Sequence, residues 1–263
     1  MVKLIAVDMD GTFLNDNKEM SPEFPRVFEE LKKKGVTFCA ASGRQLASLK
    51  KEFEPFVDDM EFVAENGTVV EYGGEIISEE LLSEDITKQI LDRIKKLKDK
   101  KIVYCTTEYS YINDISDEQS KQNALIYLPM HKVVDKFEDI GQLPVKISIY
   151  SENGYDEDFA DMIEMFGDVA TVCTSGFEWL DIVPKNSNKG SGLAKLQKKL
   201  GITDKETMVF GDQMNDFQML SKAYYSYAME NAVDEVKQIA RFMAPSNNEF
   251  GVIKVIKEFF DIK

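Results

Sequence analysis

The feature that most constrains this chain is an alternation. At both of its ends, short apolar runs of strand length take turns with longer amphipathic segments of helical period, and a differently patterned middle separates the two ends. Strands alternating with helices favour a parallel sheet with right-handed crossovers, because parallel neighbours need a connection long enough to pack back over the sheet. In the first third, Lys3 to Val7 reads as a strand, and Phe24, Val27, Phe28 and Leu31 mark one face of a helix over Ser21 to Lys34. Ser21 is placed to cap that helix, Pro22 suits its first turn, and Gly35 ends it before a second strand at Val36 to Ala40. A short helix follows, then a third strand at Phe62 to Ala64, the turn Glu65-Asn66-Gly67, and a hairpin over Thr68 to Ser78 that reverses at Gly73-Gly74.

From about Leu81 the texture changes to α+β. A helix turns Ile86, Ile90, Leu91, Ile94 and Leu97 inward, and strands are expected near Ile102 to Thr106, Tyr109 to Ile112, Ala170 to Thr174 and Trp179 to Val183. Val145 to Ile149 alternates with period two, as expected of a sheet covered on one face. The polar link Lys185 to Gly190 then returns the chain to helix and strand, with a key strand at Met208 to Phe210. The expected fold class is therefore α/β: a parallel-sheet core from residues 1–80 and 185–263, with an α+β domain inserted at 81–184.

Charge narrows the function classes. Thirty-two basic against forty-seven acidic residues give a formal charge of −15, which repels a phosphodiester backbone. The lysine-rich stretches Lys32 to Lys34 and Lys95 to Lys101 fall late in helical patterns and read as solvated faces. The apolar run before Asp8 is too short for a signal-peptide core or a membrane span, so a cytoplasmic location is expected, with no nucleic-acid or membrane partner. Cys39, Cys105 and Cys173 are widely spaced in apolar segments and read as reduced, buried thiols.

In an open parallel sheet, ligands bind beyond the carboxyl ends of the strands. After the first strand stands Asp8-Met9-Asp10-Gly11-Thr12, and after the second Ala41-Ser42-Gly43-Arg44. Lys189 lies near the re-entry, and Gly211-Asp212-Gln213-Met214-Asn215-Asp216 follows Met208 to Phe210. Side chains two apart on extended backbone share a side, so Asp8 and Asp10 can face one pocket while Gly11 lets the chain turn away. Crowded carboxylates push one pKa up and favour a bound cation, separating a permanently ionised nucleophile from a group able to hold a proton. With Asp212 the set is all oxygen, which suits Mg²⁺ beside a phosphate. Lys189, the Ser42 hydroxyl and the Gly43 amide can neutralise and align the phosphate oxygens.

Together these residues resemble the haloacid dehalogenase superfamily, and the order of parts resembles its Cof-type phosphatases with a large α/β cap. The resemblance spans the chain. It implies a Rossmann-like core and a cap over Leu81 to Pro184, with Asp8 as nucleophile and Asp10 as general acid and base. It further implies Mg²⁺ held by Asp8, the Asp10 backbone carbonyl and Asp212, with Asp216 as a supporting acid. Ser42 and Lys189 fit the phosphate-binding motifs, with the amides of Met9 and Gly43 and the Asn215 side chain completing the cradle. Asn66 and Arg44 resemble recurrent positions nearer the substrate.

Taken singly these signals are weak, since aspartate, serine and glycine after a strand are ordinary turn chemistry. The string Asp-x-Asp-Gly-Thr, however, arises by chance in well under about one chain in a hundred of this length. Gly190-Ser191-Gly192 lacks the third glycine and the preceding strand of a dinucleotide loop. Asn66-Gly67-Thr68 matches a glycosylation acceptor but reads as a tight turn. His131, the sole histidine, reads as a surface or partly buried loop residue, and Met214 and Met219 as core. The expected activity is Mg²⁺-dependent hydrolysis of a small phosphorylated metabolite through an aspartyl-phosphate, by a monomer or small homo-oligomer. Phosphomutase chemistry on the same scaffold and a non-enzymatic phospho-ligand sensor are the alternatives.

Overall fold

The structure is a computed structural model that describes residues 1–97, 99–113, 128–174 and 178–263. Two sheets organise it. The larger has eight strands: β1 (Leu4–Val7), β2 (Thr37–Ala41), β3 (Met60–Ala64), β4 (Val69–Tyr72), β5 (Glu75–Glu79), and, late in the chain, β12 (Thr207–Gly211), β13 (Tyr225–Met229) and β14 (Phe242–Ala244). Their spatial order is β14-β13-β12-β1-β2-β3-β4-β5. Pairing is parallel from β14 to β3 and antiparallel through the β3-β4-β5 hairpins. The chain leaves β1 toward β2 and β3 on one side, and its later strands fill the other side. The order therefore reverses at β1, which opens a crevice at the carboxyl ends of β1 and β12.

The first helix, α1 (Phe24–Lys33), starts three residues after Ser21. Pro25 rather than Pro22 sits in its first turn, and the Ser21 hydroxyl accepts from the Glu23 amide ahead of the helix. Its apolar face joins Phe13, Phe38 and Phe53 in an aromatic cluster, with Phe13 and Phe24 edge to face at 4.9 Å between ring centroids. Helix α2 (Leu46–Glu52) follows β2.

The smaller sheet holds β6 (Lys100–Cys105), β7 (Ser110–Ile112), β8 (His131–Val133), β9 (Lys146–Ser151), β10 (Ala170–Thr174) and β11 (Trp179–Pro184), in the order β10-β11-β9-β6-β7-β8. Helices α3 (Glu84–Ile94) and α4 (Glu157–Phe166) cover one face, burying Ile90, Ile94, Phe159 and Met162 against Ile102, Ile147, Ile149, Leu180 and Ile182. The opposite face, with Lys146, Ser148 and Asp181, was expected to be solvated where it runs along β9. Instead all three are buried, because that face is turned to the first sheet.

Other expectations also shift. Helix α3 ends at Ile94, so Lys100 and Lys101 lie on β6, and Lys98 lies outside the described residues. His131 opens a strand, its Nδ1 2.7 Å from the Leu128 carbonyl oxygen. Met219 is core, but Met214 is 47% exposed on the turn ahead of the short helix α6 (Phe217–Leu220). The three cysteines are free, and Cys173 is only half-buried. No helix among the described residues is long and apolar enough to cross a membrane.

Candidate active site

The site is built at the crevice beside β1. Val7 is the last residue of the strand, and Asp8, held by its amide to the Phe210 carbonyl of β12 at 3.1 Å, points into the crevice only 6% exposed. Directly after it the chain folds tightly, with Phe13 and Leu14 amides returning to the Met9 carbonyl at 3.1 and 2.9 Å. Gly11 makes the fold possible: its φ is +80°, and a Cβ there would stand 2.5 Å from Asp212 Oδ2. The Thr12 hydroxyl donates to Asp212 Oδ1 at 2.7 Å, tying the first motif to the loop after β12.

Lys189 opens helix α5 (Lys189–Leu200), whose N-cap Asn188 accepts from the Ser191 amide in a reciprocal capping box. The two glycines of Gly190-Ser191-Gly192 serve packing. A Cβ at Gly190 would meet Gln218 backbone at 2.5 Å, and one at Gly192 would meet Val63 at 2.6 Å. This close approach carries the Lys189 ammonium to Asp8 Oδ1 at 2.5 Å and Asp216 Oδ1 at 2.7 Å, all three residues buried. Asp216 Oδ2 in turn accepts from the amides of Asp212 and Gln213 at 2.9 and 3.1 Å, which fixes the loop bearing Asp212.

Asp8, Asp212 and Asp216 each place one carboxylate oxygen within 4.8 Å of the others. Burial, followed by the charge of Asp216, pushes the Asp8 carboxyl well above its ordinary range against the pull of Lys189. The same two causes push Asp212 up to about 6. Lys189 would be lowered by burial, but Asp216 and Asp8 outweigh that and hold it above its usual value. Three buried acids facing one ammonium leave uncompensated negative charge, and the donor set is oxygen only. A hard divalent cation such as Mg²⁺ fits both facts.

Asp10 stands apart from these three acids. Its carboxylate does not join that cluster but receives Arg44 in a two-pronged contact, Nε to Oδ2 at 2.8 Å and Nη2 to Oδ1 at 2.7 Å, with Lys18 also donating at 2.8 Å. Burial would raise it, yet Arg44 and Lys18 hold it down at about 2. Without a cation, burial thus raises the Asp8 carboxyl while the Arg44 and Lys18 contacts lower that of Asp10.

Ser42 follows β2 with its amide on the Val63 carbonyl at 2.9 Å, and Gly43 passes so close to Asn66 that a Cβ would lie 3.0 Å from Asn66 Oδ1. Asn66 is buried, in a left-handed backbone with φ 56°, and donates to Asp181 Oδ2 at 2.7 Å, a setting in which no glycan could be attached. Met9 is fully buried, and Asn215 is half-buried, its Oδ1 without a donor among the described residues. Asp8, Asp10, Ser42, Gly43, Asp212 and Asn215 share one cleft of about 480 Å³.

Residues that sequence reasoning did not single out complete that cleft from the second sheet: Lys146 and Ser148 of β9 and Trp179 and Asp181 of β11. A signal was present. Asp181 interrupts the apolar run Leu180 to Val183, and a lone acid there is costly unless a partner meets it.

Comparison with known proteins agrees with this geometry. A family model described as haloacid dehalogenase-like hydrolase matches residues 5–256. The 5-amino-6-(5-phospho-D-ribitylamino)uracil phosphatase YbjI of Escherichia coli is 35% identical over 258 residues, 97% of this chain and 95% of that protein. The HMP-PP phosphatase of Cronobacter sakazakii is 27% identical over 251 residues, 90% of this chain and 87% of its own length. The solved structure of SMU.1108c from Streptococcus mutans superposes with a TM-score of 0.89 at 30% identity, covering 99% of this chain and 100% of that one. Matches of that extent, over a fold whose acids converge beside its central strand, mean that the chain belongs to the haloacid dehalogenase-like hydrolases, as a phosphatase of their Cof type.

Proposed function

We propose that this chain hydrolyses small phosphomonoesters, sugar phosphates or similar, with Asp8 as nucleophile and Mg²⁺ held by Asp8, Asp212 and the Asp10 backbone carbonyl. The observation that carries the reading is the buried contact of Asp8 with Lys189 at 2.5 Å inside a cluster of three carboxylates. A carboxylate kept that close to an ammonium and shielded from water suits attack on phosphorus once the substrate supplies the anion that Lys189 then binds. The cation cancels carboxylate charge that would otherwise repel the phosphate.

In the proposed cycle the substrate phosphate sits between Lys189 and the Ser42-Gly43 loop, with the Met9 amide and the Asn215 side chain completing the cradle. Asp8 forms a bond to phosphorus in line as the ester oxygen departs. Asp10 gives that oxygen a proton, then takes one from the water that cleaves the aspartyl-phosphate. To do so Asp10 has to loosen its pair with Arg44, and the incoming dianionic phosphate competes for that guanidinium. Residues 81–184 act as a cap over the core of residues 1–80 and 185–263, and cleft residues from the second sheet meet the leaving group. The ribitylamino-uracil phosphate named for the 35% identical relative is the first candidate substrate, and a cleft of about 480 Å³ suits a metabolite of that size.

The test is a phosphate-release screen over sugar phosphates, nucleotides and phosphorylated cofactor precursors, with and without Mg²⁺, using Asp8→Asn as control. Mg²⁺-dependent release from one compound class that vanishes in Asp8→Asn is expected. Release by Asp8→Asn at near-normal rates would remove Asp8 from the reaction.

A further inference from the structure

The buried face of the second sheet carries a charged cluster that the proposed chemistry leaves unused. Lys146 on β9 is only 6% exposed, and a lysine is rarely buried to that degree without partners. Its ammonium donates to the Gly43 carbonyl at 2.6 Å, forms an ion pair with Glu65 Oε2 at 2.7 Å and lies 3.9 Å from Asp181 Oδ2. Asp181, paired across the sheet with Ser148, accepts from the Ser148 hydroxyl at 2.5 Å and from Asn66 at 2.7 Å. Gly43, Glu65 and Asn66 belong to the first sheet, in the loops after β2 and β3. Those two loops are stitched into one unit, since the Asn66 amide donates to the Ser42 carbonyl at 3.0 Å and the Glu65 amide to the Arg44 carbonyl at 3.1 Å.

We infer, building on the phosphatase reading, that Lys146 is a positioning residue: reaching across from the second sheet, it fixes the Ser42-Gly43 loop in its phosphate-receiving form when the two sheets are closed. The direction of the contact is what matters. The carbonyl drawn to the ammonium belongs to the Gly43–Arg44 peptide, so holding it restricts Gly43, the flexible residue directly after Ser42, and with it the direction of the Gly43 amide on the preceding peptide. Burial would lower the Lys146 pKa, but Asp181 and Glu65 outweigh it and keep the group charged. Neither carboxylate oxygen of Glu65 has an aligned hydrogen-bond donor among the described residues, and the Lys146 ammonium 2.7 Å from Oε2 is the charge that offsets it. A clasp made of charges also suits a cleft that must reopen. When the sheets part, water returns to each charge and offsets the lost attraction, whereas an apolar contact of the same size would resist parting.

The experiment uses the full chain with Mg²⁺ and reads two quantities: calorimetric binding of inorganic phosphate, and kcat and KM for phosphate release from 4-nitrophenyl phosphate. Lys146→Met is expected to weaken phosphate binding about 10- to 100-fold, the range of one hydrogen bond to a charged group. Combined with Ser42→Ala it is expected to add little, because both changes disable the same loop. The paired variant Lys146→Met/Glu65→Gln removes the charge left facing Lys146 and is measured alongside, so that loss of folding in the single variant does not decide the matter. Phosphate binding within about twofold of wild type in a folded variant, or effects of Lys146→Met and Ser42→Ala that multiply, would overturn the proposal. A wild-type protein that binds phosphate but hydrolyses nothing would sink the phosphatase reading, while the binding data would still decide the role of Lys146.

Discussion

Asp8 and Asp10 stand two residues apart yet live in different electrostatic surroundings, and that difference follows from which partner each meets. Asp8 meets a buried ammonium and two further acids, while Asp10 meets a guanidinium near the mouth of the cleft. Asp10→Asn is expected to lower kcat by about 10²- to 10⁴-fold, the range of a lost general acid and base, in a steady-state assay. Gly11→Ala puts a methyl 2.5 Å from Asp212 at a φ of +80°. Displacing that carboxylate by a fraction of an ångström is expected to reduce activity by about two orders of magnitude, with the apparent Mg²⁺ requirement rising in a metal titration. Asp212 also gives the metal-free protein a pH dependence. Its pKa rises from 3.8 to about 6 on folding, so the native state binds more protons than the unfolded state between those values. Stability is therefore highest below pH 4 as far as this group is concerned, and is lost as pH rises through 6. Urea unfolding of the metal-chelated protein at pH 5 and 7 should show that loss, and saturating Mg²⁺ should remove it.

Among the elements, helix α5 bears the most on the proposed function, because its first residue is Lys189. Its apolar positions were not what located it: the sequence announced the polar link and the re-entry, while the capping box of Asn188 and Ser191 sets where the first turn begins. Asn188→Ala is expected to destabilise the protein by about 1 kcal/mol, measurable as a lower urea midpoint with an unchanged slope. Gly192→Ala is a harsher change, since the new methyl would lie 2.6 Å from Val63 and 2.9 Å from Gly67. Overpacking there should cost about 1–3 kcal/mol and lift Lys189 away from Asp8, so that kcat falls along with the melting temperature. Several strands were legible where apolar runs met turn residues, and β1, β10 and β11 lie within one residue of expectation, whereas β8, β13 and β14 were not singled out. Helix α1 began late because Pro22 and Pro25 compete for the first turn, and local patterning does not say which of them takes it.

For the molecule as a whole, Mg²⁺ should act as a ligand of the native state only, because the donors proposed for it come together from positions as far apart as Asp8 and Asp212. A concentration about a hundred times its dissociation constant should add about 2.7 kcal/mol, seen as a rise in melting temperature that a chelator reverses. That gathering marks the boundary between what the chain announced and what folding decided. The sequence by itself determined the parallel sheet, the interruption by a second α+β unit, and the motif residues Asp8, Asp10, Ser42, Lys189 and Asp212, because each follows a strand or opens a helix and so obeys local period and turn chemistry. Tertiary structure alone decided that Asp10 pairs with Arg44 and that Lys146 and Asp181 are buried against the loops of the first sheet. A strand with alternating polar residues looks the same whether its polar face meets water or another sheet. Only the packing of one sheet on the other determines which of the two it is, and therefore whether those charges are solvated or become part of the site.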